Sequence, residues 1–590
     1  MKFTRVFDLL DNLGQICPDK EDYLSKRVNG QWVKYSVKEY VRLSHATARA
    51  FLALGLKPGA RVISIMRNRP EWNFVDMGCA LSRMVHTPVY PTLSAEEYLY
   101  IFNHSEAELI IIGNALLYKK IAPVVEQMDS PAKVVLVDDS DSVYCFKQML
   151  EEGEKDKDAL EAIISDNIKN TDKDEFFTLI YTSGTTGRPK GVMLSHYNLL
   201  FDSYGHAVRQ LYDSSKKMLS FLPLCHTYER TMNYEYQMLG ISICYADMNT
   251  FAADLKDSKA DGFCAVPRVI EIMYGKLEAA RNSLKGFKGF IYNRAWNFAN
   301  NYDNYKKSPI YKLRRAIFDK LVYSKWRENL GGQKELLVVS GGSSIRARML
   351  RCLTAAHINC YEGYGMTESS PVITVNSPVD HIQVIGSVGT PLDGTILKFA
   401  EDGEILTKGP HVMLGYYKAP ELTKEIIDED GFLHTGDIGF LLDGKYLKIT
   451  DRKKEIFKLS NGKYVAPQVI ETKLKDTDLF VNCMVVGENE KFASAILIPQ
   501  FNKLQAYAAS KKIAYKDNAD LLQNPDILAY LHDEVGKVNE GLAPHEQIKR
   551  ERFVDAEWTP DNKMLSQTLK LKRANIFARY KDIIAEIYQQ

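Results

Sequence analysis

The sequence predicts an α/β protein of more than one domain with mainly parallel sheets. Short β-branched runs alternate with helix-length segments, as in βαβ architectures. The chain has 590 residues, 45% of them hydrophobic, which exceeds what one core accommodates. A dense charge cluster, Asp451-Arg-Lys-Lys-Glu455, sits between strand-like runs at 446–449 and 456–457, where a domain boundary is expected.

The strand-like runs are clearest at 61–66, 108–113 and 133–137. Between them, residues 36–54 read as a helix, because Ser36 followed three residues later by Glu39 is a capping box. Residues 151–174 are polar and charged, and are expected to form a surface helix and connector ahead of the next strand. From 284 to 330 aromatic and basic residues crowd together with few breakers, including Phe290, Tyr292, Trp296, Tyr311 and Trp326. This pattern fits an amphipathic helical pair that packs its rings on the core. It also fits a surface that engages a membrane or frames a lipid entrance.

Composition excludes several classes. Lysine and arginine total 76 against 75 acidic residues, so no global field draws a polyanion, and nucleic acid is not an expected partner. The nine cysteines are scattered, without CxxC or zinc-ligand spacing, which suits a reducing compartment. The opening stretch lacks the pattern of a signal peptide, and no apolar run reaches the roughly 20 residues a membrane crossing needs. The expected setting is cytoplasmic, with peripheral contact at the inner face of a membrane left open, as is the oligomeric state.

The most informative segment is YTSGTTGRPKGV at 181–192, an apolar strand that runs into hydroxyls, glycines and one lysine. Gly184, Gly187 and Gly191 let backbone amides approach an anion, while Thr182, Ser183, Thr185 and Thr186 offer hydroxyl donors and Lys190 a charge. A phosphate fits such a loop. A Walker loop would place lysine and then serine or threonine directly after the second glycine, whereas Arg188-Pro189 follow Gly187 here.

With this loop the chain resembles the adenylate-forming superfamily of acyl-CoA synthetases, peptide-synthetase adenylation domains and luciferases. Further matches follow in the family's order: LPLCHTYER at 222–230, VSGGS at 339–343, YEGYGMTE at 361–368, HTGD at 434–437, DRKKE at 451–455 with Gly462 and Pro467 beyond, and LKLKR at 569–573. The resemblance spans essentially the whole chain. It implies a large amino-terminal multi-sheet α/β domain over 1–450, binding ATP and a carboxylic acid. A smaller, mobile α+β domain over 451–590 would carry a hinge and a catalytic lysine.

The resemblance also implies roles. Thr182 and Glu368 would hold Mg2+, and Thr367 would meet the α-phosphate. Tyr361, Glu362 and Gly363, with Gly342 and Ser343, would frame the nucleotide. Asp437 would accept the ribose hydroxyls, a role that suits an ionised carboxylate. Arg452, Lys454 and Lys458 would serve as ATP contact, hinge and second lysine, and Gly462 would line the coenzyme A path. Lys570 would be the mobile catalytic lysine, with Lys572 as the alternative; Thr568-Leu569 stand where many members carry Ser-Gly.

Substrate class follows from the branch. His226 and Tyr228, the insert at 284–330 and KLSNGKYVAP at 458–467 resemble the long-chain fatty-acid branch, with Gly341 and Gly365 facing the acyl group. Peptide-synthetase domains usually place an aspartate near position 226, and this segment has none. The implied partners are small molecules: a fatty acid, ATP and coenzyme A.

Overall fold

The computed structural model describes residues 3–182, 188–210, 212–306, 308–379, 383–566 and 570–589. The chain forms two compact units, one of residues 1–397 with 407–433, the other of 398–406 with 434–590.

Two large sheets build the first unit. In the seven-stranded sheet, Arg61–Ile65, Val85–Pro88, Ala107–Ile112 and Lys133–Leu136 run parallel, as their β-branched and largely buried residues predict. Phe176–Thr182 joins them beside Val85–Pro88, and the antiparallel Lys190–Ser195 and Gly415–Tyr416 close that edge. In the nine-stranded sheet, Leu24–Val28, Ser242–Tyr245, Lys217–Ser220, Gly262–Ala265, Leu336–Ser340 and Ile358–Gly365 form the parallel centre.

The capping box at Ser36 forms as the sequence predicts. Helix Val37–Ala53 starts with the Ser36 hydroxyl accepting from Glu39 N–H while the Glu39 carboxylate accepts from Ser36 N–H. The stretch at 151–174 is largely exposed, as the sequence predicts, and helical for most of its length. It contributes to two helices, Phe146–Lys155 and Lys157–Asn170, and the first packs on Val37–Ala53 through Met149 and Gly153. Its apolar positions are too few to announce a buried face.

Helices Pro70–Ser82 and Thr227–Leu239 are buried almost all round, as befits core helices. Each makes polar contacts with both large sheets. Asp76, fully buried, accepts from Arg230 Nη2 at 2.5 Å, from Tyr234 Oη at 2.5 Å and from His86 Nδ1 at 2.6 Å. Arg230 Nη1 donates to Thr178 Oγ1 at 2.6 Å, and Ser64 Oγ lies 2.8 Å from His86 Nε2. These reach the seven-stranded sheet. On the other side, Asn73 donates to Tyr245, whose hydroxyl donates to Asn233 Oδ1 at 3.1 Å, and Asn233 Nδ2 reaches Ser220 Oγ at 3.3 Å in the nine-stranded sheet. Burial pushes the Asp76 carboxyl up, but Arg230, His86 and Tyr234 outweigh it and hold it below the usual carboxylate range. Burial holds the His86 imidazole below its ordinary value. An ionised Asp76, a neutral His86 donating from Nδ1 and a cationic Arg230 satisfy the network together.

The second unit holds a sheet of Ile396–Phe399, Glu404–Lys408, Leu433–Leu442 and Tyr446–Arg452. All three chain crossings between the units fall inside its first three strands. Strand Tyr446–Arg452 pairs with Leu433–Leu442, and both lie in the second unit from His434 onward. Beyond it lie the hairpin Phe457–Lys458 with Tyr464–Val465 and the sheet Phe480–Val486, Ala493–Pro499, Ile548–Phe553. Helix Pro467–Asp476 packs on this sheet. All nine cysteines are free thiols, eight of them buried. No helix among the described residues is long and apolar enough to cross a membrane.

Asp76→Asn should cost about 3–5 kcal/mol of unfolding free energy, because it leaves the buried Arg230 without its counter-charge. Urea unfolding checks this; a midpoint equal to that of the parent would show the pair to be dispensable.

Candidate active site

In the first unit several predicted residues lie at strand ends, Thr182 and Gly365 at the last positions of theirs and Lys190 at the first of its own. Phe176–Thr182 and Lys190–Ser195 form a hairpin whose last pair is Thr182 with Lys190, so the phosphate-type loop springs from a rigid base. Ser183, Gly184, Thr185, Thr186 and Gly187 lie outside the described residues. Lys190 Nζ sits 5.0 Å above the Tyr416 ring, and Tyr416 Oη donates to Glu368 Oε1 at 2.7 Å. This chain of contacts joins the loop base to the YEGYGMTE segment. Burial, and then the Glu368 charge, push the Tyr416 phenol far above its ordinary value, so it stays a donor.

Tyr416 was not legible as a site residue. Its only local signal is Gly415-Tyr416 before a charged turn, and its partner Glu368 is distant in sequence.

Strand Ile358–Gly365 carries Tyr361, Glu362 and Gly363 and runs into the short 3-10 turn Thr367–Ser369. Thr367 and Glu368 are both buried there. Gly365 is required by close approach, since a Cβ would lie 1.6 Å from the Pro371 carbonyl oxygen. The Glu362 carboxylate accepts from Ile345 N–H at 3.0 Å, so it braces the loop of Gly341, Gly342 and Ser343 that follows strand Leu336–Ser340. Burial raises Glu362 to about 7, although the Ile345 N–H opposes this.

Helix Thr227–Leu239 brings the LPLCHTYER residues to the same loop. His226 caps the helix, its Nδ1 accepting from Tyr228 N–H at 3.2 Å. Tyr228 Oη donates to Val339 O at 2.9 Å, and a Cβ on Gly341 would touch the Tyr228 ring at 3.6 Å. Tyr228 thus packs against Gly341, with His226 capping the same helix. Next to Tyr228 stands Glu229, buried, with neither carboxyl oxygen hydrogen-bonded among the described residues. Burial pushes it up to about 8.

The second unit groups the remaining residues. Asp437 and Arg452 are register partners, with Arg452 Nε 3.1 Å from Asp437 Oδ1. Lys454 is exposed just past that strand, and Lys453 pairs with Asp402 at 2.6 Å and Glu404 at 2.8 Å. Lys458 and Gly462 lie on the hairpin of Phe457–Lys458 and Tyr464–Val465, where Gly462 turns the chain at a φ of 85°. Lys570 is exposed and its N–H donates to Ser566 Oγ at 3.0 Å, while Lys572 stands at the start of helix Arg573–Arg579. Three residues after Lys570, Arg573 donates to Glu471 at 2.8 and 2.7 Å and to Glu455 at 2.7 Å. The lysine-bearing segment is therefore clamped to the DRKKE segment within the unit.

A two-sheet α/β unit with a hydroxyl- and glycine-rich hairpin loop, followed by a unit that presents a carboxylate, an arginine and an exposed lysine, defines a nucleotide-using ligase architecture. The chain belongs to the AMP-binding enzyme family: that family's model matches residues 15–417, and the model of the AMP-binding enzyme C-terminal domain matches 454–590. Among similar proteins, long-chain-fatty-acid–CoA ligase 5 of Rattus norvegicus is 31% identical, covering 95% of this chain and 84% of its own. Long-chain-fatty-acid–CoA ligase 1 of Homo sapiens is 30% identical over 95% of this chain and 82% of its own. The A domain of a carboxylic acid reductase from Segniliparus rugosus superposes with a TM-score of 0.73 at 20% identity, over 99% of this chain and 94% of that one, which shows the shared fold.

Glu229 gives a pH signature. Its folded value of about 8 lies above the usual 4.5, so the stability it contributes is present in full below about 4.5 and is lost as pH rises through about 8. Glu229→Gln should flatten the fall of melting temperature between pH 5 and 8.5, by on the order of a few kcal/mol in stability. Parallel pH profiles for mutant and parent would show that Glu229 is not the group responsible.

Proposed function

We propose that this chain is an AMP-forming long-chain fatty acid:coenzyme A ligase. What carries the reading is the cluster Thr182, Lys190, Tyr416 and Glu368 at the base of the phosphate-type loop, in a chain similar end to end to long-chain-fatty-acid–CoA ligases.

The donor set suits Mg2+, a hard cation that takes one or two carboxylates and completes its shell with water and phosphate oxygens. Glu368 and Thr182 would hold it, the hydroxyl of Tyr416 orienting Glu368 through Oε1. When bound, the ion would neutralise charge on the phosphates and on departing pyrophosphate.

In the first half-reaction Lys190 and the loop from 183 to 187 bind the phosphates of ATP. Asp437, oriented by Arg452, accepts the ribose hydroxyls, and Tyr361, Gly363, Gly342 and Ser343 frame the base. The fatty carboxylate, bordered by His226, Tyr228 and Gly341, attacks the α-phosphorus; pyrophosphate leaves and an acyl-adenylate forms. Lys570 and Thr367 stabilise the charge that develops on the phosphoryl oxygens. In the second half-reaction the thiolate of coenzyme A attacks the acyl carbonyl, the C–S bond forms and AMP departs. The anhydride already holds the activation energy, so no nucleophilic side chain is needed.

One site serving two unlike reactions favours alternation. The segment from 451 would turn about Lys454, withdrawing Lys570 and bringing the Gly462 hairpin forward. Because Arg573 ties the Lys570 segment to Glu455, both would travel as one piece.

The direct test follows AMP release with fatty acids of graded length, with and without coenzyme A. Release that requires both a long-chain acid and coenzyme A is expected; equal release without coenzyme A, onto another acceptor, would replace this reading with that of a carrier-loading ligase.

The half-reactions separate the roles. Lys570→Ala should slow adenylation by about 10²–10³-fold and still convert synthetic acyl-adenylate to thioester. Gly462→Leu, strained by about 1 kcal/mol at its positive φ, should do the reverse. Equal loss of both half-reactions in both folded variants would refute alternation.

A further inference from the structure

Helix Ala95–Ser105 turns two unlike sides to the first unit. Tyr98, Ile101 and Phe102 sink into the core with Ile63, Ile110 and Ile112. Tyr100 and His104, one turn apart and so on one face, go instead to the stem of the phosphate-type loop. Their rings stack at 5.3 Å, and each takes one side of that loop. His104 Nδ1 lies 2.8 Å from the hydroxyl of Tyr181, on the strand that enters it. The Arg188 guanidinium, on the segment that leaves it, stands 5.4 Å over the Tyr100 ring.

A third contact joins the helix to the chain just past the edge strand Gly415–Tyr416. The Tyr417 ring meets that of His104 edge-on at 5.6 Å, and its hydroxyl donates to Glu106 Oε2 at 3.3 Å. Lys418 Nζ donates to the His104 carbonyl at 3.1 Å and to Glu106 Oε1 at 2.8 Å, which sets a cation at the carboxyl end of the helix. Tyr417 follows Tyr416, whose own side chain goes to Glu368 and Lys190. Likewise Thr182 follows Tyr181 in an extended strand, so its side chain takes the face opposite the helix. The Tyr181–His104 bond joins neutral groups and needs no counter-charge. Burial raises the Tyr181 phenol far above its ordinary value, while burial, and then Lys418, lower the His104 imidazole against a weaker pull from Glu106.

We infer that His104, seconded by Tyr100, is a positioning residue: it holds Tyr181 and Tyr417 from behind and so sets the angle at which Thr182 and Tyr416 face the phosphates and the cation. Neither His104 nor Tyr100 is among the nucleotide contacts; their effect passes through the strands they fix. The inference rests on the proposed use of ATP at this loop. Its first test is binding, which needs no turnover, so the two can fail separately.

The full chain and its variants are titrated by calorimetry with MgATP and with AMP, which lacks the phosphates assigned to the loop. Tyr181→Phe removes only the hydroxyl and should weaken MgATP about threefold; His104→Ala, which also removes the ring against Tyr417, about tenfold; AMP should change by less than about twofold in both. His104→Asn, whose amide can renew the bond to Tyr181, should recover to within about threefold of the parent. In turnover the KM for ATP should rise in the same order, while thioester formation from synthetic acyl-adenylate keeps the parent's rate. Should His104→Ala fail to fold, Tyr181→Phe decides the matter. Equal MgATP affinity in the parent and in the folded variants would overturn the proposal. So would equal losses for MgATP and AMP, or a His104→Asn variant as weak as His104→Ala, either of which would reduce His104 to packing. A parent that binds MgATP but releases no AMP strikes the ligase reading alone, and one that binds no MgATP strikes both.

Discussion

Asp76 and Arg230 form a buried ion pair on which the first unit is organised. Two charges in an apolar core add little net stability compared with well-packed hydrophobic residues, but either one left alone is costly. The pair, with His86, Tyr234 and Thr178, therefore penalises any packing of helices Pro70–Ser82 and Thr227–Leu239 other than the one observed. Both helices also reach the nine-stranded sheet through Asn73, Tyr245, Asn233 and Ser220, so both large sheets are tied to the same two elements. The functional consequence is local: the helix that holds Arg230 begins at His226 and Tyr228, and its axial setting places the Tyr228 ring on Gly341.

The same economy recurs around Glu368. A carboxylate proposed to meet a cation, as Glu368 is here, has to be ionised and oriented. Tyr416, from an edge strand of the other sheet, supplies the orientation, and its ring lies under Lys190 at the base of the phosphate-type loop. One tyrosine thereby couples two motifs far apart in sequence. In the second unit Arg573 plays the corresponding part, joining the Lys570 segment to Glu455 and Glu471. Preorganisation of this kind costs nothing at the moment of reaction, which is where fixed charges are most effective.

Features that depend on neighbours in sequence were legible. The Ser36–Glu39 capping box, the strands at 61–65, 107–112 and 133–136, and the helices within 284–330 needed only periodicity and cap chemistry. The ordered motifs likewise named the candidate site residues, because each motif is contiguous. What was missed lies where the partner is remote, as with Tyr416 and Glu368. Residues 151–174, expected as a surface helix and connector, are largely exposed and mostly helical.

By itself, then, the sequence determined the α/β class, the alternation of its elements, the phosphate-type loop and the family, all properties of short-range pattern and residue chemistry. Tertiary structure alone decided that Tyr416 orients Glu368, that Asp76 needs Arg230, that residues 398–406 join 434–590 in one compact unit, and that one face of helix Pro309–Phe318 stays exposed. The physical reason is that burial, pairing and exposure belong to residues brought together across long stretches of chain. Local composition states which side chains could be apolar or charged, but only packing determines which of them are covered and by what.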